Sequence, residues 1–200
     1  QILANPLAPV FWAMALIASG IAPYDRLTWF MEVLPVLIAV PILVATRGRL
    51  PLTSLVYVLI TIHGLILIYG GAYTYARVPL GFWLQDLLGF ARNPYDRIGH
   101  LAQGFVPAMV ARELLLRVFR VEGRKTVFFL AVCIALAISA FYELIEWWVA
   151  LVMGGSAEEF LGTQGDVWDT QWDMFLALTG AILALLALGR RHDRQLVRLK

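Results

Sequence analysis

Residues 52–70 read LTSLVYVLITIHGLILIYG, nineteen consecutive positions without an Asp, Glu, Lys or Arg. As a helix rising 1.5 Å per residue, this run is about 28 Å long, close to the roughly 30 Å core of a bilayer. Lipid offers no partners for backbone N–H and C=O groups, so a spanning segment is a helix or part of a closed barrel. The run is apolar without period-two alternation, which selects the helix. Outward from it lie five further apolar stretches, near 6–22, 29–46, 97–118, 126–153 and 166–189. With 51–71 they predict an all-α protein, a bundle of about six transmembrane helices forming one membrane domain over residues 1–200. Pro35 and Pro41 predict a kink in the second span. The connection 72–95 carries Leu80, Trp83, Leu84, Leu87 and Leu88 at i, i+3, i+4, i+7 and i+8. That spacing predicts a short amphipathic helix lying in the membrane interface.

Composition agrees. The chain is 60% hydrophobic and 15% charged, whereas a soluble domain carries roughly 25% charged residues. Its formal net charge of +2 offers no surface for nucleic acid. The single cysteine, Cys133, excludes an intrachain disulfide. Gln1 stands where a start methionine would be, so the natural N-terminus is expected upstream.

Charge sets the expected orientation. Arg47, Arg49, Arg112, Arg117, Arg120, Arg124, Lys125, Arg190, Arg191, Arg194, Arg198 and Lys200, twelve of the sixteen bases, fall on one side of the six-span topology. The positive-inside rule makes that side cytoplasmic and places both termini there. Eleven of the fourteen carboxylates fall at the other end; the exceptions are Glu113, Glu122 and Asp193.

Three acidic rows gather at that outer end. Asp96, His100 and Gln103 share one face of the fourth span. Glu143 and Glu146, three apart, share a face of the fifth, and Asp166, Asp169 and Asp173 form a row at the start of the sixth. Counted from the inner helix ends, His100, Glu143 and Asp173 lie at depths of about 24–26 Å, so the rows can meet. Carboxylates inside a membrane segment are costly and are functional candidates by default. Asp96, His100, Glu143, Glu146, Asp169 and Asp173 form an oxygen-rich set with one imidazole. It suits a divalent ion: Mg²⁺, Mn²⁺, Ca²⁺ or Zn²⁺. Arg97 would hold a substrate phosphate, and Gln103 and His63 are further candidates for acid–base or positioning roles.

Each residue also has a plainer reading. Asp166 can cap the sixth span, Asp169 can be a favourable charge in its first turn, and Asp96 can cap the fourth and pair with Arg97. His63 can be a hydrogen-bonded core histidine, and the tryptophans an interfacial belt. Glu143 and Glu146 resist such a reading, because both are placed towards a helix C-terminus. Pro23-Tyr24-Asp25-Arg26 echoes Pro94-Tyr95-Asp96-Arg97, a repeat or simply a shared way of starting a helix. His-Glu-x-x-His, Gly-x-Ser-x-Gly and the Glu-x-x-His di-iron pair are all absent from the sequence.

The strings NPYDRIGHLAQGFVPA, FYELIEWW and GTQGDVWDTQWDM, in that order, resemble the bacterial inner-membrane proteins of the YjdF type. That family has no assigned reaction, so the resemblance implies a multi-helix inner-membrane fold and nothing about chemistry. More distantly, Asp96-Arg97-x-x-His100 is similar to the Asp-Lys-x-x-His motif of VanZ-like membrane proteins, linked to glycopeptide resistance, with Arg in place of Lys. Asp169 and Asp173, ahead of Gly180, stand where that group carries Asp and Asn. The leading expectation is a metal-dependent membrane enzyme with an outward acidic pocket, acting on a lipid or envelope-glycan precursor, with segment 80–91 as a lid. The alternatives are a small cation or proton-coupled transporter, and a non-catalytic envelope-stress or assembly factor. The apolar inner halves of the fifth and sixth spans favour a one-sided pocket over a transport path.

Overall fold

The structure is a computed structural model describing residues 7–154 and 163–199. Among these residues it has seven α-helices: α1 (Leu7–Ile21), α2 (Arg26–Thr46), α3 (Ser54–Tyr73), α4 (Pro79–Leu88), α5 (Tyr95–Arg117), α6 (Arg124–Met153) and α7 (Asp169–Val197), with one 3₁₀ turn at Tyr75–Arg77. The described residues contain no strand.

Four helices, α2, α3, α6 and α7, are long and apolar enough to cross a membrane. The other two expected spans fall short for different reasons. The first is a helix of 15 residues, about 22 Å at 1.5 Å per residue. The fourth, α5, has 23 residues but carries Asp96, Arg97, Arg112, Glu113 and Arg117. Pro35 and Pro41 both lie inside α2, which runs through them as one helix. Segment 72–95 holds α4, as its spacing predicted. Its Leu80, Trp83, Leu87 and Leu88 are exposed on the protein, and Gly89 ends it in the left-handed conformation, φ 68°, which glycine adopts without steric penalty.

The chain divides into two compact units, residues 1–96 and 97–200. In the first, Trp12, Val33, Val36 and Ile68 are buried together, with Trp29 and Leu67 packed against them. Gly64 makes room for Trp12: a Cβ there would lie 2.3 Å from the ring. The start of α2 is fixed by Asp25, whose carboxylate accepts the Thr28 N–H at 2.7 Å.

The second unit is built differently. Its fully buried positions are dominated by Ala108, Ala131, Ala135, Ala177, Ala181 and Ala184. Many of its large apolar side chains, among them Phe129, Trp148, Phe175 and Leu186, point outward. Small inside and large outside is the pattern of helices that pack in lipid, where close backbone approach replaces a hydrophobic driving force. Helices α5 and α7 touch through their glycines. A Cβ on Gly104 would lie 1.8 Å from the Ala177 carbonyl oxygen, and one on Gly180 would lie 2.1 Å from that of Leu101.

Candidate functional site

The site sits where α5 and α7 begin, and it starts with how α5 is capped. Asn93 is buried, donates through Nδ2 to the Val78 carbonyl at 3.1 Å, and accepts the Tyr95 N–H on Oδ1 at 3.0 Å. Asn93, two residues before α5, thus fixes the helix start through a bond two residues on, whereas Asp25 caps α2 three residues on. Asp96 lies inside the first turn of α5. Asp166 is not the cap of α7, which begins at Asp169 after Trp168, but it shapes the turn ahead of it. Its Oδ1 accepts the Trp168 N–H at 3.0 Å in the turn before α7, and its Oδ2 receives Arg97 Nη2 at 3.3 Å. Arg97 thus pairs with Asp166, and it lies over the Trp172 ring, 5.5 Å from the centroid.

One turn along α5, His100 is 7% exposed and stands between two buried carboxylates from two other helices. Its Nε2 lies 3.7 Å from Asp173 Oδ2, and its Nδ1 lies 3.8 Å from Glu143 Oε1. Both separations exceed hydrogen-bond length. Asp96, four residues earlier on the same helix, completes a group of potential ligands: one donor atom each from Asp96, His100 and Asp173 lies within 4.8 Å of the others. Ligands around a tetrahedral ion with bonds of about 2.1 Å are about 3.4 Å apart, so the 3.7 Å pair is within a few tenths of an ångström of coordination spacing. All three residues are buried.

Among the described residues, the ligand-distance group does not include Asp169, Glu146 or Glu143. Asp169 is buried in the first turn of α7, and Glu146 is partly exposed on α6. Glu143 lies ten residues before the end of α6, nearly three turns inside. The helix dipole acts only within the last turn, so burial rather than the dipole makes Glu143 need a partner. Ser139, one turn before Glu143 on the same face, is fully buried, and its hydroxyl has no hydrogen-bond partner among the described residues. Gln103 is partly buried on α5, and His63 is partly buried on α3 in the first unit.

A second polar cluster, at the other ends of α5 and α7, escaped the sequence reading. Glu113 and His192 are both fully buried. His192 Nε2 lies 2.9 Å from Glu113 Oε2, and Arg117 donates to Glu113 Oε1 at 2.7 Å. Arg112 reaches His192 Nδ1 at 2.6 Å through Nη1 and pairs with Asp193 through Nη2. An arginine can only donate, so Nδ1 must accept, and the ring proton sits on Nε2, where it donates to Glu113. The sixth span was expected to end at 189, leaving 190–200 as a solvated basic tail. Helix α7 instead runs to Val197 and carries His192 into the interior.

A family described as predicted membrane protein, DUF2238, matches residues 6–194. The chain belongs to that family. As a DUF2238 protein it is similar to the inner membrane protein YjdF of Escherichia coli (strain K12), 60% identical over 185 residues, which is 92% of this chain and 88% of that one. The match places the chain among multi-pass inner-membrane proteins and agrees with the YjdF-type resemblance of its three motifs. The VanZ-like likeness gains no support from these comparisons. No solved structure matches this DUF2238 chain.

Proposed function

We propose that this DUF2238 protein binds a divalent metal ion through Asp96, His100 and Asp173 and uses it on a phosphorylated lipid or envelope-glycan precursor. The observation that carries the reading is His100, a buried imidazole from α5 with buried carboxylates of α7 and α6 on its two ring nitrogens. In this arrangement Nε2 is the ligand atom, alongside Asp173 and Asp96. Glu143 stands on the Nδ1 side, where an outer carboxylate orients a metal-bound imidazole. One nitrogen and two carboxylate ligands suit Mn²⁺ or Zn²⁺ and leave coordination positions for water or substrate. A bound ion would supply Lewis-acid polarisation of a phosphoryl oxygen. Arg97, part-exposed and one residue from Asp96, would hold the anionic group. Asp169, Glu146, Gln103 and His63 take no part in this reading, and neither does α4, which belongs to the first unit.

In the same proposal α1 and α5 also cross the membrane, the metal end of the second unit faces outward, and both termini lie in the cytoplasm. A transport path along the α5–α7 contact is disfavoured. Backbone meets backbone at Gly104–Ala177 and Gly180–Leu101, leaving no room for an ion between the two ends.

The test is a melting curve of the full chain in detergent, with and without chelator, alongside metal analysis of the purified protein. Saturation at a hundred times Kd stabilises by about 2.7 kcal/mol, or about 5–10 °C for a chain of this size. Chelator is expected to remove that gain from the wild type, and Asp173→Asn to show no such gain. If chelator has no effect and Asp173→Asn is the more stable protein, the carboxylates share protons instead, and the proton-coupled reading takes over.

A further inference from the structure

The contact between α5 and α7 is smooth. Gly104 meets Ala177, Gly180 meets Leu101, and Ala181 and Ala184 continue the buried strip. Sliding α7 by four residues would replace Ala177 with Ala181, but it would also set Ala184 in the place of Gly180, where a Cβ lies 2.1 Å from the Leu101 carbonyl oxygen. Small residues let helices approach closely, and along the rest of the strip they raise no ridges that oppose sliding. Packing along this strip therefore resists a change of register at its glycine contacts and little elsewhere. The candidate site needs the register held. A slide of one turn is about 5.4 Å and would carry Asp173 away from His100.

The cluster at the far end adds a second, polar constraint to those glycine contacts. Glu113 and His192 are fully buried, and the His192 N–H has its acceptor in Glu113 only in the observed register. One turn to either side on α7 stand Leu188 and Leu196, which offer Glu113 no donor. Arg112 closes the arrangement by donating to His192 Nδ1 while holding Asp193, the next residue on α7. Buried polar groups that fix register are the best-attested use of such networks.

We infer that the Glu113–His192 network is a register lock between α5 and α7, and that these are positioning residues which keep Asp173 beside His100. The affinity part of this inference rests on the metal reading above, whereas the register part does not.

Two measurements test it. The first is Mn²⁺ affinity of the full-length protein in detergent. The second is the distance between spin labels on Ala102→Cys and Phe175→Cys in a Cys133→Ser background. The double variant Glu113→Leu/His192→Leu should still fold, because apolar replacement of a buried polar pair is tolerated. It should bind Mn²⁺ about 10–100-fold more weakly, the range seen when outer-shell supports are lost. Its label distance should spread or shift by about one helical turn, 5.4 Å. His192→Gln keeps a donor for Glu113 and an acceptor for Arg112, and should retain both wild-type values. If the double variant is not recovered folded, His192→Leu is read by the same two measurements. An unchanged label distance would overturn the lock. A shifted distance with unchanged Mn²⁺ affinity would overturn its service to the site. Wild-type protein that binds no Mn²⁺ would remove the metal reading, while the label distance would still decide the lock.

Discussion

Asp25 and Asp96 occupy the same place in two copies of Tyr-Asp-Arg, and the structure gives them different work. Asp25 accepts the Thr28 N–H and caps α2, while Asp96 lies inside the first turn of α5, whose start is held by Asn93 accepting the Tyr95 N–H. Sequence alone does not separate the two, because Asn93, which fixes the start of α5, lies outside the repeated string. Hydrogen bonding, first of all to the Thr28 backbone N–H, holds the Asp25 carboxyl below its ordinary 3.8. A lowered carboxylate contributes stability above the unfolded value, and that contribution is lost as pH falls through the folded value. Asp25→Ala is therefore expected to lower stability by about 1 kcal/mol at neutral pH. The difference from wild type should vanish in acid, below both values. Melting curves of the two proteins from pH 7 to pH 2 measure this, and a difference that persists at the acid end would refute it.

At the scale of elements, the apolar runs predicted α2, α3, α6 and α7, and an i, i+3, i+4 pattern predicted α4. What composition missed was the end of α7. Arg190-Arg191-His192-Asp193-Arg194 reads as a solvated tail until one knows that Glu113 of another helix waits for the histidine. Contacts of that kind are tertiary, and one sequence does not display them. The three acidic rows were legible from spacing and depth, and His100, Glu143 and Asp173 do come together. The rows did not reveal which members would be left out, because Asp169 and Glu146 sit about one turn from residues that take part. The glycines of α5 and α7 yield a prediction of their own. At Gly104 and Gly180 the atoms nearest an added Cβ are backbone, which does not yield by a rotamer change. Gly104→Leu should force the helices apart and destabilise by about 1–3 kcal/mol, the range for overpacking. Gly189→Leu, where a Cβ meets nothing within 4 Å, should have little effect. Thermal unfolding in detergent compares the two, and equal losses would sink the account.

For the whole molecule, family membership and four long apolar helices establish a membrane protein, and charge asymmetry predicts which way it faces. Val167 and Arg191 are exposed near opposite ends of the second unit's last helix. In a Cys133→Ser background, Val167→Cys should react with a membrane-impermeant thiol reagent in intact cells. Arg191→Cys should react only after the membrane is opened. Labelling of both in intact cells would remove the outward-facing site.

The separation of α5 from α7 along the chain has a consequence for how the protein is made. Glu113 and His192 are 79 residues apart, and a ribosome adding about 5–20 residues per second delivers the second about 4–16 s after the first. Throughout that interval α5 has been synthesised without His192 for its buried glutamate, which has only Arg117 of its own helix, and without Asp173 for His100. In the proposed topology, where α5 crosses the membrane, a helix carrying five charged groups gains little from entering lipid alone, and the expected order is that α7 recruits α5 after it is made. A nascent chain arrested before residue 169 should leave α5 open to protease, whereas α2 and α3 are already sheltered in the bilayer.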